Sequence, residues 1–182
     1  MGEASLNEAI QGLIAQLAIF QALLLAVSAV HKSLKWPHSQ GVVRQFAGVP
    51  RSLAASALLI VIVGELVAAA LSIVPAYRAR GAMIAALLWT LYLALIIRAI
   101  MQGRPNVDCG CSFGPTARPL GWSQVARNTV LAGIAWFIAW AAVGGGVPAQ
   151  GSQWLGGIAY LALYGALDQV MALQPLRSGE IT

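Results

Sequence analysis

Five times along its 182 residues this chain runs for about the length of a bilayer-spanning helix with almost no charge, and those runs decide what it can fold into. The hydrocarbon core of a bilayer is about 30 Å thick, and about 20 helical residues cross it. The runs lie at about 9–30, 53–74, 82–101, 129–147 and 154–173. The first, AIQGLIAQLAIFQALLLAVSAV, contains no charged residue; the second, LAASALLIVIVGELVAAALSIV, holds Glu65 near its middle and stops at Pro75. The third is uncharged as far as Ile97, which puts Arg98 near the interface, where a long side chain can keep its charged head in water. The short link PAQGSQ makes the last two a tight hairpin. Charged residues are 9% of the chain against about 25% in a soluble domain. None of the runs alternates as the strands of a membrane barrel must. The reading is one all-α integral membrane domain over residues 1–182, a bundle of about five transmembrane helices with a cysteine loop at 102–128.

The first run is expected to stay as a signal anchor, since MGEASLNEA lacks a basic n-region and no small-residue cleavage site follows. Five crossings place Lys32, Lys35, Arg44 and Arg51 on the same face as Arg98, Arg104, Arg118, Arg127 and Arg177. The opposite face holds Arg78 and Arg80, so the positive-inside rule makes the basic face cytoplasmic. Topology and anionic lipid account for the net charge of +5. No nucleic-acid partner is implied, because no stacking aromatics interleave with the arginines.

Both cysteines fall in one stretch, NVDCGCSFGP, separated by Gly110. Such a pair can close a small disulfide, share a soft metal, or fill space as small apolar residues. A polar loop has little core to fill. Gly110 supplies the bend that brings Cys109 and Cys111 within disulfide reach, and a ring this small is strained, hence readily reduced and suited to exchange. Metal is the rival: two thiolates with Met101 would suit Cu(I), whereas Cys-x-Cys with His31 and His38 matches no standard zinc spacing. The two histidines read more simply as interfacial residues at a helix end. Arg104, Arg118 and the start of the next helix would lower a thiol pKa, while Asp108 raises it and can also shuttle a proton.

GRPNVDCGCSFGP followed by GWSQVARN resembles the methylamine utilisation protein MauE family, a group related to the DoxX-like membrane proteins. HKSLK, FAGVPRSLA and GELVAA extend the resemblance over roughly residues 10–140, leaving the last helix outside it. Ser112 stands between the second cysteine and Phe113, where the family pattern is often Cys-Phe-Gly. The resemblance implies a four-helix MauE-like core plus a C-terminal helix, in the bacterial inner membrane. It also implies work with a thioredoxin-like, MauD-type partner on an exported disulfide-containing enzyme such as methylamine dehydrogenase. Residue by residue, Cys109 and Cys111 become the exchanging pair, Asp108, Gly110, Phe113 and Gly114 their frame, and Arg127 with Asn128 a support at the helix start.

A difficulty follows. Disulfides of exported enzymes form outside the cytoplasm, whereas the charge count puts the pair inside. Either the topology is reversed, or the pair folds back into the bundle and is reached from both faces, or it passes electrons to a membrane quinone. The second is favoured here, since VDCGCSFGP carries a single charge. Glu65, a carboxylate in mid-span, marks a proton or substrate path, or else is protonated or paired with a neighbouring helix and locks the packing. Asp168 falls toward the basic face, where an arginine could meet it. Trp122 and Trp154 read as interfacial anchors, and Trp89, Trp136 and Trp140 as packing rather than a quinone slot. Two functions of different class fit: a thiol-disulfide oxidoreductase, or a non-enzymatic membrane scaffold or metal-handling protein that recruits the partner.

Overall fold

A computed structural model describes residues 2–103, 121–143 and 147–173, and these are helical apart from short links. The helices are α1 (Gly2–Leu34), α2 (Trp36–Ala47), α3 (Arg51–Ile73), α4 (Arg78–Met101), α5 (Trp122–Ala141) and α6 (Gly151–Leu173), with one 3₁₀ turn at Pro75–Tyr77. Among the described residues, three stretches, Ser5–Leu34, Arg51–Ile73 and Pro75–Met101, are long and apolar enough to cross a membrane.

Local sequence explains the breaks. Pro37 sits in the first turn of α2, where its missing N–H costs nothing, and Gly48 ends that helix in the left-handed conformation (φ 66°). Val74, ahead of Pro75, is extended, as a residue before proline prefers, and this stops α3. Two boundaries differ from the apolar runs. Residues 122–128, read as loop, form the start of α5, where the Gln124 side chain accepts the Gly121 N–H (2.9 Å). The same helix stops at Ala141, ahead of three glycines. The helix α2 lies wholly in what reads as the first loop. Its apolar positions Trp36, Val42, Val43 and Phe46 are diluted by polar neighbours, so it forms no apolar run.

The core is a bundle of α1, α3, α4 and α5. In it α3 packs against α1 and α4, α5 packs against α4 and α1, and α6 lies on α1. Buried positions on α3 recur as Ala54, Leu58, Ile62, Glu65, Ala68 and Ser72, one stripe of a 3.6-residue helix. The interior is built of small residues: Ala68, Ala85, Ala86 and Ala135 are buried where Leu25, Trp89 and Leu131 interlock. Large apolar side chains point outward, with Ile60 72% and Leu59 52% exposed. Small residues inside and bulky ones outside is the pattern of helices associating by close packing in hydrocarbon.

Two glycines set the closest approaches. A Cβ at Gly81 would lie 2.7 Å from the carbonyl carbon of Leu71 and against the Ser72 backbone, so α3 and α4 meet there backbone to backbone. At Gly157 it would lie 2.6 Å from Ile19 Cγ2, which seats α6 on α1. Gln21 links three helices: its Nε2 donates to Leu131 O (2.9 Å) and its Oε1 accepts the Trp89 indole N–H (2.7 Å).

Candidate functional site

Glu65 is completely buried on α3, and three side chains from two other helices converge on its Oε1. Lys32 Nζ approaches to 2.6 Å, Tyr92 OH donates at 2.7 Å from α4, and Ser28 Oγ donates at 3.0 Å. Ser28 and Lys32 share a face of α1 because they are four residues apart, and Lys32 Nζ also donates to Ser28 Oγ (2.5 Å). The ammonium lies 5.3 Å from the centre of the Tyr92 ring, a cation–π contact. Three donors on one oxygen suit an ionised carboxylate. Glu65 Oε2, equally buried, has no hydrogen-bond partner among the described residues.

The structure places Glu65 in an ion pair across helices. Its partner is a lysine that the sequence presents as one of several basic residues after the first run. The sequence signals that a buried carboxylate requires a cation, without saying which. Ser28 and Tyr92 carried no signal of their own.

Beside this cluster lies a cavity of ≈ 240 Å³ between α2, α3 and α4. Val43 and Phe46 of α2, Val61 of α3 and Ile96 of α4 form apolar wall, while Lys32 and Tyr92 bring the edge of the polar cluster to its surface. Ile96 and Ala99 near the end of α4 form a small buried cluster, against which Phe46 of α2, Ile100 and Val125 of α5 each pack. Ile96 and Phe46 belong both to this cluster and to the cavity wall.

Cys109, Cys111, Asp108, Gly110, Phe113 and Gly114 lie outside the described residues. Arg127 and Asn128 are described. Arg127 Nη1 pairs with Asp168 Oδ1 of α6 at 2.9 Å, and its guanidinium lies 5.8 Å from the centre of the Tyr164 ring. Asp168 does meet an arginine, and Arg127 ties α6 to the bundle. Asn128, buried, donates to Gln124 O of its own helix (2.9 Å). These two residues are not near Glu65 through any of these contacts. Trp89 is held by Gln21 and Trp136 donates to Thr90 Oγ1 (3.3 Å); neither lines the cavity. Trp122 and Trp140 are exposed, and Trp154 is half-buried in the first turn of α6. His31 is half-buried near the end of α1, and His38 is exposed on α2.

Comparison with known proteins gives one consistent likeness. Residues 10–141 match the family model described as methylamine utilisation protein MauE. The chain is 37% identical over 125 residues to a methylamine utilization protein MauE of Paracoccus denitrificans, covering 68% of this chain and 66% of that protein. It is 32% identical over 123 residues to one of Methylophilus methylotrophus (67% and 65%). A third, of Methylorubrum extorquens, is 32% identical over 151 residues, 81% of each chain. The matched stretch is thus slightly under two thirds of the length of the first two relatives. No solved structure matches.

Proposed function

The chain belongs to the methylamine utilisation protein MauE family, and from that premise we propose that it is a multi-pass protein of the bacterial inner membrane that exchanges electrons through Cys109 and Cys111. The pair passes electrons to or from a thioredoxin-like partner of MauD type, in the maturation of an exported disulfide-containing enzyme such as methylamine dehydrogenase. The bundle crosses the membrane five times, α1, α3, α4, α5 and α6 each providing a span.

One observation carries this reading: the two cysteines of the sequence stand one residue apart in the segment joining α4 to α5. Support comes from the Ile96–Ala99 cluster, against which Ile100 of α4 and Val125 of α5 both pack, so that the end of α4 and the start of α5 lie together. A thiolate of one partner attacks a sulfur of the other's disulfide, giving a mixed disulfide; the neighbouring thiol then displaces it. One pair becomes oxidised as the other is reduced, and no further reagent enters. Arg127 is matched by Asp168, so the cations left to favour a thiolate are those nearer the pair in sequence, Arg104 and Arg118.

The test is alkylation of Cys109 and Cys111 in intact membranes by a reagent that cannot cross the bilayer, before and after reduction. Labelling from outside that appears after reduction is the expected result for a pair that oxidises an exported substrate. It would also reverse the orientation drawn from the basic residues. Thiols that never label from either face, in any redox state, would leave the scaffold reading in its place.

A further inference from the structure

The ion pair leaves one donor at the cavity wall, and that donor selects a ligand. An ammonium has three protons to donate. Lys32 gives one to Glu65 Oε1 and one to Ser28 Oγ, and the third has no acceptor among the described residues. The hydroxyls at the same wall are engaged: Tyr92 OH donates to Glu65, and Ser39 Oγ donates to Lys32 O (3.3 Å). The cavity therefore offers a single charge-assisted donor in an otherwise apolar wall.

An anionic head suits this site poorly, because a carboxylate or phosphate would have to share one ammonium with Glu65, 2.6 Å away. A neutral carbonyl accepts a hydrogen bond and brings no charge. Size agrees: ≈ 240 Å³ exceeds the about 150 Å³ apolar cavity that holds benzene, so a substituted six-membered ring can enter. Leu91 lines the cavity and is 48% exposed, so the space reaches the apolar outer surface of the bundle, where a lipid-soluble tail can leave.

We propose that this cavity binds the ring of a membrane quinone, one carbonyl oxygen accepting the third Lys32 proton. The proposal rests on the redox reading above, to which it adds the two-electron acceptor. In that step the Cys109 and Cys111 thiols lose two electrons and two protons, both S–H bonds break and one S–S bond forms. The quinone takes up two electrons and two protons and leaves as hydroquinone.

The test uses the full chain in nanodiscs of neutral lipid, with decylubiquinone as probe and tryptophan fluorescence quenching as readout. Val43→Phe and Val61→Phe each fill the cavity from a different helix, and circular dichroism checks that each variant keeps its helices. Lys32→Met removes the donor. Binding by the unaltered chain that weakens tenfold or more in both filled variants is the expected result. Equal binding by filled and unaltered chains would overturn the assignment, as would displacement of the probe by equimolar oleate, which would give the cavity to an anionic lipid. Exchange of the cysteine pair with dithiothreitol is measured separately on the unaltered chain. A pair that exchanges in a protein that binds no probe overturns the quinone and leaves the redox reading standing; an inert pair removes that reading and the acceptor role with it.

Discussion

Replacing Lys32 by methionine should be strongly destabilising, and more damaging than neutralising its partner. Glu65 is fully buried, and Lys32 supplies its one cation among the described residues, so Lys32→Met strands a carboxylate with two hydroxyl donors. Breaking a buried pair from one side costs about 3–5 kcal/mol, because the remaining charge keeps its desolvation penalty. Glu65→Gln leaves the ammonium instead. Lys32 lies near the end of α1 with its side chain 11% exposed, and a long flexible stem can carry that charge toward the headgroups, so this loss should be smaller, about 1–3 kcal/mol for the hydrogen bonds removed. The double variant Lys32→Met, Glu65→Leu removes both charges and should recover to within about 1.5 kcal/mol of the unaltered protein, because apolar replacements of buried pairs are often neutral. The assay is unfolding in mixed detergent micelles followed by circular dichroism, read as a double-mutant cycle. A Lys32→Met variant within about 0.5 kcal/mol of the unaltered chain, or a double variant as unstable as the sum of the singles, would refute the buried pairing.

Three further outcomes are expected. Gly81→Leu should prevent α3 and α4 from closing, and even Gly81→Ala should cost about 1–3 kcal/mol in the same unfolding assay, since the new Cβ meets backbone rather than a movable side chain. Gln21→Leu leaves the Trp89 indole N–H and the Leu131 carbonyl without their partner, at about 1–3 kcal/mol per buried group; a shift in tryptophan emission should accompany the loss. Arg127→Ala should loosen α6 more than any other helix, by stranding buried Asp168, and Asp168→Asn added to it should restore protection of α6 amides in hydrogen exchange.

What sequence could disclose here depended on range. The long helices announce themselves, because a run such as 53–74 needs no neighbour to be read. The small helix α2 does not, since its four apolar positions make sense once α3 and α4 are beside them. Glu65 stood out as a charge in the wrong solvent, and Asp168 was expected to find an arginine. Neither the identity of the Glu65 partner nor the convergence of Ser28 and Tyr92 could be seen, because that contact joins residues 33 apart through a packing angle that no local pattern encodes. The Trp residues illustrate the converse: three aromatics along two helices carry no instruction about which faces a cavity, and Trp89 is fixed by Gln21 instead. The cysteine pair remains a reading of sequence and of family.

The Lys32–Glu65 pair also orders events while the chain is being made. When α1 is complete, the carboxylate it needs is still 33 residues away in the nascent chain. An unpaired ammonium is held among headgroups and water rather than in hydrocarbon, so the young α1 must ride outward along its own axis, with its basic end at the surface. Arrival of α3 supplies the countercharge and lets the lysine end be drawn inward. Assembly of the first two long helices is then coupled to formation of that pair, and α2, tethered between them, lies over the cavity once they meet.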